Sequence, residues 1–183
     1  MVQIRLGQAL LIVCCVFYLI WWSVAFHPSH GNVHASGITM VLLLITFIFG
    51  IAGMSVNLIG IRDHANERGF ISGYAIIVCG ILSYFILMYG TRILLNRQVT
   101  TELFLIIGWT MLEVASANSV FSLGRMSVRE VVFFLIIVAV AVVSSLIFYL
   151  AYYRVEPMLA YYFGMIPLVT EAMCMGVFLF LTK

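Results

Sequence analysis

The sequence predicts an all-α integral membrane protein built as a bundle of six transmembrane helices. Of its 183 residues, 64% are hydrophobic and only 9% are charged, whereas a soluble domain carries about 25% charged residues. The apolar residues form six continuous runs, each close to the roughly 20 helical residues that cross a bilayer core of about 30 Å. This composition argues against a soluble enzyme, a disordered chain, a nucleic-acid-binding protein and a disulfide-rich scaffold.

The six apolar runs define the predicted spans. We place them at 6–26, 38–61, 70–91, 102–123, 131–153 and 158–181. The first run is longer than the apolar core of a signal peptide, about 7–15 residues, so we expect a retained span. All six are continuously apolar rather than alternating, which favours helices over strands. Because the connections are short, residues 1–183 are expected to form a single transmembrane domain without a soluble domain.

The basic residues favour a topology with both termini in the cytoplasm, where basic residues of membrane proteins concentrate. In that topology the inner segments hold Arg5, Arg62, Arg68, Arg125, Arg129 and Lys183, and the outer connections hold Arg92, Arg97 and Arg154. Aromatic residues at the ends of spans one and five would then lie at the outer interface, where amphipathic rings anchor helices. We therefore expect a multi-pass protein of the cell membrane, either a plasma membrane or an inner membrane.

Two segments favour an inverted repeat of three plus three helices. The segments that open spans three and six each begin with an arginine at a membrane edge, Arg62 or Arg154. Each then carries a glycine, Gly73 or Gly164, about ten residues later. Because three is an odd number of spans, the second half would be inverted relative to the first, as in many transporters. The similarity is confined to these segments, and spans one and four do not share it.

Two acidic residues lie inside predicted spans, Glu113 in span four and Glu171 in span six. At 1.5 Å per residue they are roughly 16 and 20 Å from the outer ends of their spans, so both carboxyls are expected near the membrane midplane. An ionised carboxylate there costs about 2.5–3.5 kcal/mol, more than the roughly 1 kcal/mol that an interhelical hydrogen bond contributes. This imbalance favours a proton, cation or polar-solute site. The alternative is a pair of protonated acids that only tie helices together.

Span four carries polar residues on two sides. At about 100° per residue, Glu113 and Ser116 share one face, while Asn118 and Ser122 lie on the opposite face. A helix with polar groups on both sides is expected to be surrounded by other helices rather than by lipid.

Three further residues are predicted to line a polar pathway through the membrane together with the two glutamates. Asn57 and Asn118 lie towards the cytoplasmic half of spans two and four, where they could line one polar path with the glutamates. Pro167 in span six cannot donate to the carbonyl of Phe163, and we expect it to kink the helix. A freed carbonyl in the same stripe as Glu171 is similar to the broken-helix sites of transporters. A common packing kink explains the proline equally well.

Span two also carries a face of small residues. Gly50, Gly53, Asn57 and Gly60 fall on one side of the helix. Small residues allow a second helix backbone to approach closely, with the asparagine as a polar tie, so we favour a packing role. Such faces also favour self-association.

Three histidines cluster in the first connection, at His27, His30 and His34. Imidazoles ligate zinc and copper, but no acidic residue or cysteine of the same loop completes a site, and Pro28 argues against a helix there. We favour a solvated outer loop over a metal site, and we expect no cofactor. Histidines placed to ligate haem within the spans are also lacking in the sequence.

Three functions remain open at this stage. The favoured one is a channel or secondary transporter for a small solute, proton or cation that uses the midplane carboxyls. The alternative is an accessory or scaffold subunit without transport or catalytic activity of its own. A membrane enzyme or metal-dependent redox protein using the histidines ranks third, because nucleophile, phosphate-loop and zinc-helix motifs are not found. The expected partners are the lipid bilayer and either a second copy or another membrane subunit, with no nucleic acid.

Overall fold

The computed structural model describes residues 1–27, 37–63, 69–96 and 100–183, with the backbone alone described at 100–102. Within these ranges the chain forms six long helices and no strand, which confirms the predicted fold class. The helices are α1 (Val2–Phe26), α2 (Gly37–Asp63), α3 (Gly73–Leu95), α4 (Thr100–Ser122), α5 (Val128–Tyr152) and α6 (Pro157–Leu181). All six are long and apolar enough to cross a membrane.

The helix boundaries differ from the predicted spans by four residues or fewer, because hydrogen bonds rather than hydropathy end a helix. Helix α5 begins before its apolar run because Ser127 and Glu130 form a capping box. The Ser127 hydroxyl accepts from the Glu130 N–H at 3.3 Å, and the Glu130 carboxylate accepts from the Ser127 N–H at 2.7 Å. These bonds pair two N–H groups that the first turn would otherwise leave without partners.

Helix α4 lies at the centre of the bundle and packs against α2, α3, α5 and α6. Half of its most apolar 18-residue window is buried, compared with 11–28% for the other five helices. From Trp109 to Ser122 no residue of α4 is exposed, which confirms for this part the prediction, made from its two polar faces, that helices rather than lipid surround it. Nearer the start of α4, Phe104 and Leu105 are exposed. By contrast, α3 lies at the periphery, and Gly80 and Thr91 are its buried residues.

Helices α1 and α2 pack backbone to backbone through the glycine face of α2. A Cβ atom added to Gly7 of α1 would lie 2.7 Å from the backbone nitrogen of Asn57. Likewise, a Cβ on Gly60 would lie 2.9 Å from the backbone nitrogen of Ile4, and Gly53 makes a similar approach to α1. The predicted packing role of the small residues is therefore confirmed, and α1 is the helix that they admit.

Hydrogen bonds between helices are found at one end of the bundle, and the chain termini with a groove lie at the other. At one end, the Trp22 indole N–H donates to the Tyr161 carbonyl at 3.1 Å, and Arg154 donates to the Leu94 carbonyl at 3.0 Å. These bonds join α1 to α6 and the α5–α6 connection to α3. Both chain termini lie together at the opposite end, where Val2 and residues near the end of α6 line one groove. Which end faces the cytoplasm, and whether the halves form an inverted repeat, remain predictions.

Candidate functional site

The two predicted carboxyls are buried in the bundle. Glu113 of α4 is 0% exposed and Glu171 of α6 is 6% exposed. Glu171 lies within electrostatic range of Glu113. At about 1.5 Å per residue, Glu113 is about 20 Å and Glu171 about 21 Å from the first residue of its helix, so their depths agree. These distances agree with the expectation from the sequence that the two carboxyls lie at similar depth.

Apolar residues surround this pair. Leu11, Cys15, Leu112 and Met175 form a buried cluster contributed by α1, α4 and α6. The thiols of Cys15 and Cys174 also lie within electrostatic range of both carboxyls. Such walls offer the carboxyl oxygens little solvation, so a carboxylate in this place needs a compensating charge, a proton or a donor.

The buried carboxyl oxygens lack donors within the described part of the chain. No described residue makes a well-formed hydrogen bond to either oxygen of Glu113 or to Oε1 of Glu171, although the Gln8 side chain lies within hydrogen-bonding reach of Glu113. The Gln8 amide of α1 faces Glu113, and its own Oε1 is buried without a described donor as well. The core therefore holds four buried oxygen atoms with unused acceptor capacity.

A second polar group lies next to Glu113 and joins three helices. Gln8 Nε2 donates to the Ser116 hydroxyl at 3.3 Å, and that hydroxyl lies 3.0 Å from Oδ1 of Asn57. The same hydroxyl lies 2.7 Å from the Leu112 carbonyl, so its single hydrogen serves one of these two acceptors. Gln8, Asn57 and Ser116 are all 0% exposed. We call these three residues the polar triad.

The polar triad and the carboxyls lie at successive depths. Each triad residue is about 9 Å from the end of its helix on the side of the chain termini, at about 1.5 Å per residue. Measured from the same side, Glu113 is about 14 Å and Glu171 about 15 Å from the ends of α4 and α6. The buried polar atoms thus extend from the carboxyl pair towards the end that carries both termini.

Asn118 lies on a different face of α4 from Glu113 and forms hydrogen bonds with the segment before α3. Its Nδ2 donates to the Ile71 carbonyl at 2.8 Å, and its Oδ1 accepts from the Ile71 N–H at 2.7 Å. The two bonds hold the segment before α3 against α4, and Gly69 leaves the room for the Asn118 amide. The structure does not bring Asn118 into the polar triad, and its part in a pathway stays a prediction.

Pro167 lies within α6, which is continuous from Pro157 to Leu181. The Thr170 hydroxyl lies 2.8 Å from the Pro167 carbonyl and 3.0 Å from the Ile166 carbonyl. It also lies 3.1 Å from the Ser145 hydroxyl of α5. The hydroxyl pair thus gives α6 a polar link to α5 at the residue that precedes Glu171. Whether Pro167 serves a transport site remains a prediction.

The histidine cluster lies largely outside the described residues, since His30 and His34 fall in the 28–36 gap. The His27 ring meets the Tyr161 ring edge to face, with centroids 5.2 Å apart. Within the described ranges, no group of three or more His, Cys, Asp or Glu side chains is placed to hold a metal ion.

Two members of the buried group were not among the predicted site residues. Gln8 lies near the start of the first span, where an amide resembles an ordinary helix-end residue. Ser116 shares a helical face with Glu113, and this spacing is the one signal that could have identified it. Neither residue type demands a partner as strongly as a carboxyl does, so only their contacts distinguish them.

The fold and the buried group define a class: a multi-pass membrane protein of six helices with ionisable side chains in its core. Compared with known proteins, the chain matches no protein family, no curated protein and no solved structure.

Proposed function

We propose that this protein is a channel or secondary transporter for protons or a small cation, with Glu113 and Glu171 as its midplane site. One observation supports the proposal above the others. Four buried oxygens, three from the carboxyls and one from Gln8, receive no well-formed hydrogen bond from a described residue, and the Gln8 side chain lies within reach of Glu113. Unused acceptors attract a proton, a hydrated cation or a bare cation, and they repel anions. Membrane-embedded carboxyls kept at a cost to insertion commonly mark ion or proton paths.

The route towards this site belongs to the same proposal. The polar triad supports a path from the end with the chain termini to Glu113, since its members lie about one helical turn closer to that end. Asn57 Nδ2 is buried without a described partner, so it could hydrogen-bond to water in an open state. In this proposal the termini are cytoplasmic and the protein lies in the plasma or inner membrane.

A flux assay in proteoliposomes tests the proposal. Purified wild-type protein, the Glu113→Gln and Glu171→Gln variants and their double variant are reconstituted at equal density. Proton flux is followed with an internal pH dye, and sodium and potassium fluxes with cation-sensitive dyes. We expect the wild type to conduct at least one of these ions and the double variant to fall to the level of empty liposomes.

A matched control removes a carboxyl elsewhere. Glu156 is exposed at the start of α6, and its side chain makes no capping hydrogen bond. The Glu156→Gln variant should conduct as the wild type does. Equal flux in the wild type and the double variant would overturn the role of the carboxyls. Wild-type flux no greater than that of empty liposomes for all three ions would overturn the transport function.

An accessory subunit is the second candidate, and the position of α3 favours it. With Gly80 and Thr91 as its buried residues, α3 leaves most of its surface open. A lone bundle exposes such a surface to lipid, whereas a partner subunit would cover it. Absent flux together with stable co-purification of one defined membrane protein would support this candidate.

A further inference from the structure

A groove runs between the beginning of α1 and the end of α6, at the end of the bundle that carries both chain termini. Its cavity volume is about 600 Å³. Residues that line it include Arg5, Leu6, Ala9, Gly176, Leu179 and Lys183. The groove therefore combines an apolar floor with two cationic side chains, and both cations flank the ends of membrane spans.

The two cations are free of acidic partners in the described part of the chain. The one ion pair found there joins Arg62 to Asp63 at 3.4 Å, away from the groove. Lys183 Nζ instead lies 5.4 Å from the centre of the Phe180 ring. Two unpaired cations beside a cavity create a positive potential that an anion would complement.

We propose that this groove binds one anionic phospholipid. The headgroup phosphate would lie between Arg5 and Lys183, and an acyl chain would follow Leu6, Ala9 and Leu179 towards the membrane core. In a bilayer, a lipid supplies both chemistries at once, a charge at headgroup depth and a hydrocarbon chain beneath it. Basic residues at the ends of spans commonly reach this depth.

The charge pattern disfavours a second copy of the chain as the occupant. A two-fold symmetric contact places the same patch on both subunits. Arg5 and Lys183 of one copy would then face Arg5 and Lys183 of the other, which brings four cationic side chains together without an acidic side chain among the lining residues. An anionic lipid neutralises the same residues.

Native mass spectrometry of the full-length protein tests this proposal. The protein is loaded in detergent with equal amounts of phosphatidylglycerol and phosphatidylcholine of matched chain length. We expect one phosphatidylglycerol to be retained in preference to phosphatidylcholine. Each of Arg5→Gln and Lys183→Gln should lower that preference by about fivefold, the factor that corresponds to roughly 1 kcal/mol for a cation near the headgroups.

Two further variants serve as controls. One tests whether any loss of positive charge lowers lipid binding, and the other fills the groove without changing its charge. Arg129 is exposed at the start of α5, at the same end of the bundle, so Arg129→Gln should leave the preference unchanged. A Cβ at Gly176 would meet no atom within 4 Å. The Gly176→Leu variant should therefore fold, fill part of the groove and reduce retention of both lipids.

Three results would overturn the proposal. The first is equal retention of the two lipids by the wild type. The second is displacement of phosphatidylglycerol by inorganic phosphate, which would define a simple anion site without a chain-binding groove. The third is a lipid-free dimer. None of these results depends on ion flux, so they leave the proposed transport function untested, and the flux assay tests it independently.

Discussion

The side chains of Gln8 and Ser116, 108 residues apart in the chain, meet in the buried centre of the bundle, where Gln8 Nε2 lies 3.3 Å from Ser116 Oγ. Asn57 completes the contact from α2, so that one serine hydroxyl connects α1, α2 and α4. Ser116, the member of the polar triad on α4, lies about one turn from Glu113. The polar triad therefore ties three helices together and brings amide groups beside the carboxyl site.

Removing the Ser116 hydroxyl should destabilise the protein. In Ser116→Ala, Gln8 Nε2 and Asn57 Oδ1 lose their partner while they remain buried, at a cost of about 1–3 kcal/mol. Thermal unfolding in detergent measures the loss. Ser144→Ala is the matched control, because the Ser144 hydroxyl is exposed and bonds the Val140 carbonyl of its own helix at 2.6 Å. Equal melting temperatures for the two variants would contradict a structural role for the polar triad.

Neutralising the buried carboxyls should not destabilise the protein at high pH. An ionised Glu113 that lacks a well-formed hydrogen bond costs free energy in the core, so wild-type stability should fall as pH rises from 5 to 9. Glu113→Gln and Glu171→Gln remove that cost, and their stability should vary less with pH and equal or exceed the wild type at pH 9. The measurement is the melting temperature in detergent at each pH. If both amides are less stable by about 1 kcal/mol or more at every pH, the carboxyls are structural ties.

Loss of the Asn118 amide should loosen the attachment of α3. Asn118→Ala removes two hydrogen bonds and leaves the Ile71 N–H and carbonyl without their partner. A cost of about 1–3 kcal/mol follows if water cannot reach these groups fully. Hydrogen exchange should rise at Ile71 and at the start of α3. Flux per folded molecule should remain at the wild-type level if Asn118 serves only this contact, whereas lost flux would support its predicted place in the pathway.

A methyl group at Gly7 should push α1 away from α2. In Gly7→Ala the new Cβ would lie 2.7 Å from the Asn57 backbone nitrogen, closer than packed atoms allow. We expect a loss of about 1–3 kcal/mol, typical of overpacking. Gly90→Ala in α3 is the control, since its Cβ would meet nothing within 4 Å. That variant should be neutral or gain up to about 1 kcal/mol from helix propensity. A Gly7→Ala variant as stable as Gly90→Ala would contradict the close packing of α1 on α2.

The sequence by itself determined the number of helices, their approximate ends and the similar positions of the two glutamates along their helices. Continuous hydropathy and the thickness of a bilayer fix these features, because each depends on residues near in the chain. It also indicated that small residues of α2 admit another helix, but not that this helix is α1.

The tertiary structure decided which polar groups meet. It brought Gln8 to Ser116 and Asn57, and it held Asn118 against Ile71 instead. Helical phase assigns a residue to a face, but it cannot say which neighbour occupies that face. That choice depends on the packing of six helices at once, in which close glycine contacts and buried hydrogen bonds select one arrangement among many of similar hydrophobicity.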